Sequence, residues 1–203
     1  MITRQEDSRE VRLNTVGRPI AGVEVKIVDK DRQELPPGAV GEIALRGNLM
    51  KGYWNQPELT ASVIDAEGFL YTGDLGRVYD EDGDIQVVGR AKEMIIRGGF
   101  NVYPIDVEEE LLGFAKVQDV AVVGKPHGVL GESIVAFVVP RPGCTLTVHE
   151  VLRFCRTVLA SNKMPDEIYF VRALPIIENG KVRKNELKEW ALAGVPANDV
   201  FAF

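Results

Sequence analysis

Residues 71–76 have the sequence YTGDLG, and residues 90–93, which begin sixteen positions after Asp74, have the sequence RAKE. This region separates two kinds of pattern. From residue 23 to residue 88, apolar and polar residues alternate with a period of two, which predicts short strands and tight turns. After about residue 92, strand and helix patterns are mixed. We therefore predict an α+β protein with two domains, residues 1–91 and residues 92–203.

The first domain is predicted to be a β-rich unit. Residues 23–28 and 41–46 have the alternation of half-buried strands. Residues 80–84, with the sequence DEDGD, have the composition of a hairpin tip. Residues 57–64 form the one predicted helix, because a proline stands in its first turn. Short strands at this spacing indicate a small barrel or sandwich.

The second domain is predicted to contain a short sheet flanked by helices. Its first helix begins at Pro104, and a capping box at residues 147–150 begins another. The remaining predicted elements are strands at residues 117–123, 134–139 and 167–171 and a final helix at residues 185–193.

The bulk composition excludes several classes of protein. A net charge of −6 and a pI of about 5.1 argue against a nucleic-acid-binding face or an anionic membrane partner. No apolar run approaches the ~18 residues of a membrane span. Cys144, Cys155, His127 and His149 show no metal-ligand spacing, and two cysteines are too few for a disulfide framework. We therefore expect a cytoplasmic protein with reduced thiols and no metal site.

Asp74 and Arg90 are the first candidates for binding a ligand. A carboxylate in a glycine turn accepts hydrogen bonds from two neighbouring hydroxyls, such as those of a ribose. The alternative for Asp74 is an Asx-turn or a helix cap. The planar guanidinium of Arg90 suits a phosphate or a ribose. Its alternative is a surface ion pair with an acidic residue, which contributes little.

Two further segments offer chemistry but also have ordinary structural interpretations. Gly98 and Gly99, followed by Phe100, allow a ligand to approach the backbone closely, and the alternative is a plain hairpin turn. Lys181 follows Gly180, but the glycine spacing and the following Ser or Thr of a P-loop are missing. A mobile lysine neutralises developing charge, whereas the alternative is a solvated lysine in a basic run.

In combination, these segments resemble the adenylate-forming superfamily of acyl- and aryl-CoA synthetases, luciferases and peptide-synthetase adenylation domains. The resemblance covers nearly the whole chain, and several motifs in the family order make it specific. The matching segments are residues 41–43 (GEI), 52–55 (GYWN), 71–74 (YTGD), 89–104 (GRAKEMIIRGGFNVYP), 130–132 (LGE), 174–175 (LP) and 180–181 (GK).

The resemblance implies a role for each candidate residue. Asp74 would hold the ribose hydroxyls of AMP, and Arg90 would contact ribose or phosphate. Lys92 occupies the hinge position at which the C-terminal domain rotates. Lys181 matches the lysine that bridges the substrate carboxylate and the α-phosphate during adenylation. The segment Gly98, Gly99 and Phe100 would line the CoA channel after the rotation. ATP, CoA and a carboxylic acid are the implied substrates.

The resemblance also implies that the chain is a portion of a larger enzyme. The phosphate-binding loop of the family and the glutamate that helps to hold Mg²⁺ are not found in the 203 residues. Residues 1–91 would be the β-barrel part of a truncated AMP-binding domain, and residues 92–203 the mobile domain. The fragment alone is expected not to complete the reaction. A stand-alone binding module and a part of a peptide-synthetase adenylation domain are the alternatives, and the acid and the oligomeric state stay open.

Overall fold

The computed structural model describes residues 1–201, which form two compact units that divide between Lys92 and Glu93. Residues 202 and 203, the last two of the predicted second domain, lie outside the described residues. No helix among the described residues is long and apolar enough to cross a membrane. The roles predicted for the two domains stay predictions.

The first unit is built on a four-stranded antiparallel sheet in which the strands follow one another in chain order. Two short helices accompany it. The strands are β1 (Glu24–Val28), β2 (Gly41–Arg46), β3 (Leu70–Val78) and β4 (Ile85–Arg90), and the helices are α1 (Arg9–Asn14) and α2 (Pro57–Val63). The predicted distorted barrel is therefore an open sheet within residues 1–201, with β1 and β4 at its edges.

Both faces of this sheet are partly covered by apolar side chains. Successive strand residues point to opposite faces, so Ile27 and Val28 lie in different clusters. Ile27 packs with Ile43 and Ile85. Val28 packs with Ala44 and Phe69 on the other face.

The second unit is a five-stranded sheet with helices on both faces. Strand β8 pairs along one edge with β7, and its other edge pairs first with β5 and then, in parallel, with β9. The strands are β5 (Ile95–Arg97), β6 (Phe100–Val102), β7 (Val117–His127), β8 (Gly131–Pro140) and β9 (Glu167–Phe170). The helices are α3 (Pro104–Leu112), α4 (Val148–Val158) and α5 (Lys184–Ala193), and a short 3₁₀ turn covers Ser161–Lys163. Another 3₁₀ turn, Ala91–Glu93, contains the residues at which the two units divide.

The apolar run in β7 explains how the layers are arranged. Val120 and Val122 belong to the cluster that packs under α3 and α4. Ala121 and Val123 belong to the cluster that packs under α5, which contributes Trp190. A strand covered on both faces has a continuous apolar sequence rather than an alternating one.

The predicted fold class, sheet-rich α+β, is confirmed. The capping box is also confirmed, since Thr147 and Glu150 exchange both of its hydrogen bonds. Strands β7 and β8 are longer than predicted, because they form one hairpin whose pairing continues to His127 and Gly131.

Candidate functional site

Asp74 lies at a bulge in β3. The register between β2 and β3 shifts here, so that residues 72–74 face the single residue Ile43. The hydroxyl of Thr72 donates to the Ile43 carbonyl at 2.8 Å and accepts from the Asp74 amide at 3.1 Å. Gly73 has a φ of +73°, a conformation that favours glycine. Bulges of this kind re-aim side chains next to functional sites.

Glu42 fixes the same bulge from the neighbouring strand. Its carboxylate oxygen Oε1 accepts a hydrogen bond from the Gly73 amide at 2.8 Å. Glu42 lies in the GEI segment, residues 41–43, that contributes to the resemblance. In the alternating sequence of β2, however, it looks like an ordinary polar residue on one face of a strand. Sequence reasoning therefore missed it as a residue that positions the turn before Asp74.

The two predicted nucleotide-binding residues contact each other. Asp74 and Arg90 are directly opposite on β3 and β4, and Arg90 Nε lies 2.9 Å from Asp74 Oδ1. The acidic partner that the sequence left open for Arg90 is thus Asp74 itself. Both side chains keep a third or more of their surface exposed, so a ligand has access to them. An ion pair this exposed contributes little to stability, about 0–1 kcal/mol.

The predicted hinge residue, Lys92, lies in the 3₁₀ turn Ala91–Glu93, and its side chain is exposed. It is the last residue of the first unit. Within residues 1–201, its ammonium forms no ion pair.

Gly98 and Gly99 form the turn of the β5–β6 hairpin, so the plain hairpin interpretation is correct as a description of their backbone. Their φ values are +58° and +83°, both in the region that L side chains rarely adopt. A Cβ at Gly99 would meet no atom within 4 Å, so the turn is open on that side. Phe100 follows with more than half of its surface exposed.

Lys181 stands at the end of a tight loop in the second unit. The Ile177 amide donates to the Lys181 carbonyl at 2.9 Å, and the Lys181 amide donates to Asn179 Oδ1 at 3.2 Å. The side chain is exposed, and its ammonium forms no ion pair in the part of the chain that the structure describes. The loop therefore fixes the backbone and leaves the charged end in solvent.

Lys184, three residues later, has a different environment. Its ammonium lies 2.8 Å from Glu108 Oε1 on α3 and 3.3 Å from Glu93 Oε2, at the beginning of the second unit. The same Glu108 oxygen accepts the Val122 amide at 2.7 Å. The alternative interpretation of Lys181, a solvated lysine in a basic run, fits its exposed side chain, whereas Lys184 in the same run is mostly buried. Nothing in the local sequence indicates the two distant carboxylates.

Residues 1–201 contain no group of three or more His, Cys, Asp or Glu side chains placed to hold a metal ion.

Two family models match the chain. Residues 1–54 match the AMP-binding enzyme model, and residues 106–181 match the model of the AMP-binding enzyme C-terminal domain. The chain belongs to the AMP-binding enzyme family. The resemblance drawn from the motifs is confirmed.

Two relatives of this chain are named as CoA ligases. The chain is 43% identical over 187 residues to the 3-[(3aS,4S,7aS)-7a-methyl-1,5-dioxo-octahydro-1H-inden-4-yl]propanoyl:CoA ligase of Rhodococcus jostii (strain RHA1), covering 92% of this chain and 34% of that protein. It is also 43% identical over 180 residues to the medium-chain fatty-acid–CoA ligase of Escherichia coli (strain K12), covering 87% and 32%. The chain thus spans about a third of the length of these relatives.

A solved structure shares the fold of this chain. The crystal structure of ATP-bound MatB from Rhodopseudomonas palustris matches with a TM-score of 0.82 and 42% identity, over 87% of this chain and 35% of that one.

Proposed function

We propose that this chain works as the C-terminal portion of an acyl-CoA synthetase. In the first half-reaction, a carboxylate oxygen attacks the α-phosphorus of ATP, and pyrophosphate leaves. In the second, the sulfur of CoA attacks the acyl carbonyl carbon, and AMP leaves. The observation that carries the proposal is the Asp74–Arg90 pair, set on a bulge sixteen residues apart in a chain whose named relatives are CoA ligases.

Asp74 and Arg90 are proposed to hold the nucleotide. Arg90 already contacts one oxygen of the Asp74 carboxylate, which restricts the orientation of that side chain. A carboxylate has lone pairs for several donors, so Asp74 accepts the two ribose hydroxyls while Arg90 stays beside it. The remaining guanidinium N–H groups then point to a ribose or phosphate oxygen.

Lys181 is proposed to act in adenylation alone. Negative charge increases on the α-phosphate as the carboxylate attacks it, and a positioned ammonium stabilises that charge. The exposed ammonium of Lys181 and the tight loop that fixes its backbone support this role.

Lys92 and the glycine turn are proposed to serve the change between half-reactions. Rotation about a few dihedrals is the usual form of a hinge, and the exposed Lys92 has no ion pair within residues 1–201 to oppose it. The Gly98–Gly99 turn and Phe100 then line the channel for the pantetheine arm of CoA.

Lys181→Ala in the complete enzyme tests the proposal. Pyrophosphate release with acid and ATP is expected to fall by about 10²- to 10³-fold, the typical cost of removing one transition-state contact. Formation of acyl-CoA from supplied acyl-AMP is expected to persist, since that step does not use the lysine. Lys188→Ala, which removes a charge from the same basic run, is the control and should change neither step. An equal fall in both half-reactions would contradict the role of Lys181.

A further inference from the structure

The hairpin that carries Gly98 and Gly99 has little backbone attachment to the rest of its sheet. Its strands, β5 and β6, are three residues each, and β5 pairs with β8 only at Arg97 and Gly131. One further backbone bond joins the Gly98 amide to the Leu130 carbonyl at 2.7 Å. Two-stranded hairpins are marginally stable alone, so side chains must hold this one in place.

Asp166 connects the hairpin to the central strand of the sheet. Arg97 donates to it from two nitrogens, with Nε 2.9 Å from Oδ2 and Nη2 2.6 Å from Oδ1. Asp166 Oδ2 also accepts the Ile134 amide of β8 at 2.8 Å. Two-point pairing of this kind fixes orientation as well as distance. The residue directly before the glycine turn is therefore tied to β8 through one carboxylate.

The surroundings of Arg97 and Asp166 favour the charged form of both side chains. Partial burial favours the neutral acid, but the hydrogen bonds from Arg97 and Ile134 outweigh it, so the pKa of Asp166 lies below its ordinary value. The hydrogen bond to Asp166 likewise raises the pKa of Arg97. Both groups are ionised at neutral pH, and the contact is charge-assisted.

A second carboxylate holds the residue before Arg97. Glu132 Oε2 accepts the Ile96 amide at 2.8 Å. The same carboxylate lies against Gly124, where a Cβ would come within 2.5 Å of Oε1. Residue 124 must therefore be glycine unless the Glu132 side chain moves away. Consecutive residues of β5 are thus held by Glu132 and Asp166.

We propose that Arg97 and Asp166 are positioning residues that set the orientation of the Gly98–Gly99–Phe100 turn for the thioester-forming half-reaction. The inference rests on the proposed function, in which this turn lines the CoA channel. Neither residue needs to touch CoA, because both act through the turn. Their effect is expected in the second half-reaction and not in adenylation.

A neighbouring ion pair provides a matched control. Glu167, the next residue after Asp166, accepts from Lys125 at 2.8 Å and from Tyr169 at 2.8 Å, and neither donor lies in the hairpin. The two ion pairs have similar side-chain exposure. Lys125 and Glu167 are 26% and 34% exposed. Arg97 and Asp166 are 21% and 25% exposed. Glu167→Gln therefore removes a comparable charge from the same sheet and leaves the turn alone.

The test compares Asp166→Asn, Arg97→Gln and Glu167→Gln in the complete enzyme, with the half-reactions measured separately. Misplacement of a binding element by about 1 Å costs on the order of 10²-fold, so acyl-CoA formation from supplied acyl-AMP should fall roughly 10- to 100-fold in the first two variants. Pyrophosphate release should be unchanged in all three. Arg97→Lys, which keeps the charge but not the fork, should recover part of the lost rate.

Amide hydrogen exchange of residues 98–100 in the 203-residue chain is the second readout, and it is independent of activity. Exchange should quicken in Asp166→Asn and Arg97→Gln and stay unchanged in Glu167→Gln. Unchanged exchange and an intact thioester step would overturn the positioning role and leave the proposed function standing. If the unmutated enzyme makes no acyl-CoA, the proposed function is wrong, and Arg97 and Asp166 have no role in thioester formation. Amide exchange of residues 98–100 would still show whether Arg97 and Asp166 hold the turn. In Arg97→Gln, Asp166 still accepts the Ile134 amide. This variant therefore removes the contact with the hairpin and keeps the hydrogen bond between Asp166 and β8.

Discussion

Lys184→Met is expected to destabilise the second unit by about 2 kcal/mol, between the values for exposed and buried ion pairs. Lys184 is the first residue of α5. A positive charge is unfavourable there, because the N-terminal end of the helix dipole is also positive. The position of Lys184 is explained by the two carboxylates, Glu93 and Glu108, that receive its ammonium. Methionine keeps the length of the side chain and its apolar contacts but removes the charge.

The expected magnitude follows from burial. Lys184, Glu93 and Glu108 have side-chain exposures of 18%, 27% and 17%. Exposed pairs contribute about 0–1 kcal/mol each, and breaking a fully buried pair costs about 3–5 kcal/mol. These side chains lie between the two limits, and the variant also leaves two carboxylates facing each other without a cation. At an m-value of about 2 kcal/mol/M, the urea midpoint should fall by about 1 M.

Tryptophan fluorescence follows this transition selectively. Trp190 on α5 is 9% exposed, whereas Trp54 in the first unit is 89% exposed. Unfolding therefore changes the surroundings of Trp190 far more than those of Trp54, and a Trp54→Phe background removes the second signal. The control is Arg183→Met, which breaks an exposed pair with Glu186 at 3.5 Å and should change stability by at most about 0.5 kcal/mol. Equal midpoints for Lys184→Met and Arg183→Met would refute the reasoning.

Two further predictions concern titratable groups of the second unit. Burial raises the pKa of Cys155 to about 11, so a thiol reagent should label only Cys144 in the native protein and both cysteines after unfolding, as read by mass spectrometry. Hydrogen bonds from Lys116 and then Thr147 lower the pKa of Glu150 from 4.5 to about 2, so its stabilising contribution is complete above pH 4.5 and is lost as the pH falls to about 2. In acid unfolding curves, Glu150→Gln should remove that part of the pH dependence, and a variant with the same acid slope as the unmutated chain would contradict the assignment.

Local periodicity predicted most elements, and the failures have physical causes. The period-two sequence of β1 predicted a strand, although its burial does not alternate, because Ile27 and Val28 are buried on opposite faces of the sheet. The helix from Pro104 has a clear apolar stripe. Helix α1 was not predicted, because its six residues bury none of their side chains and so carry no stripe. Whether the first sheet closes depends on pairing between β1 and β4, strands at opposite ends of the sheet. Such long-range pairing leaves no local signal.

The candidate residues were found by chemistry and motif, but their partners were not. The sequence offered Arg97 only as the residue before two glycines, and its partner Asp166 lies 69 positions away. In the same way, the two carboxylates around Lys184 come from α3 and from the beginning of the unit. Ion pairs between distant elements depend on the packed arrangement of those elements, so their partners become identifiable only after the fold is known.

The Asp74–Arg90 contact shows why spacing alone is not enough to assemble such a site. At the loop end of the β3–β4 hairpin, Val78 faces Ile85, and a regular ladder from that pair would put Gly89 opposite Asp74. A register shift between Leu75 and Gly76 moves the pairing by one residue and brings Arg90 there instead. Because a slip of one residue reverses the face of every side chain beyond it, this irregularity decides whether the two charges meet. The second bulge, held by Glu42 on the other edge of β3, fixes the turn before Asp74. The pair thus depends on two departures from regular β structure, which period-two patterns in the sequence do not encode.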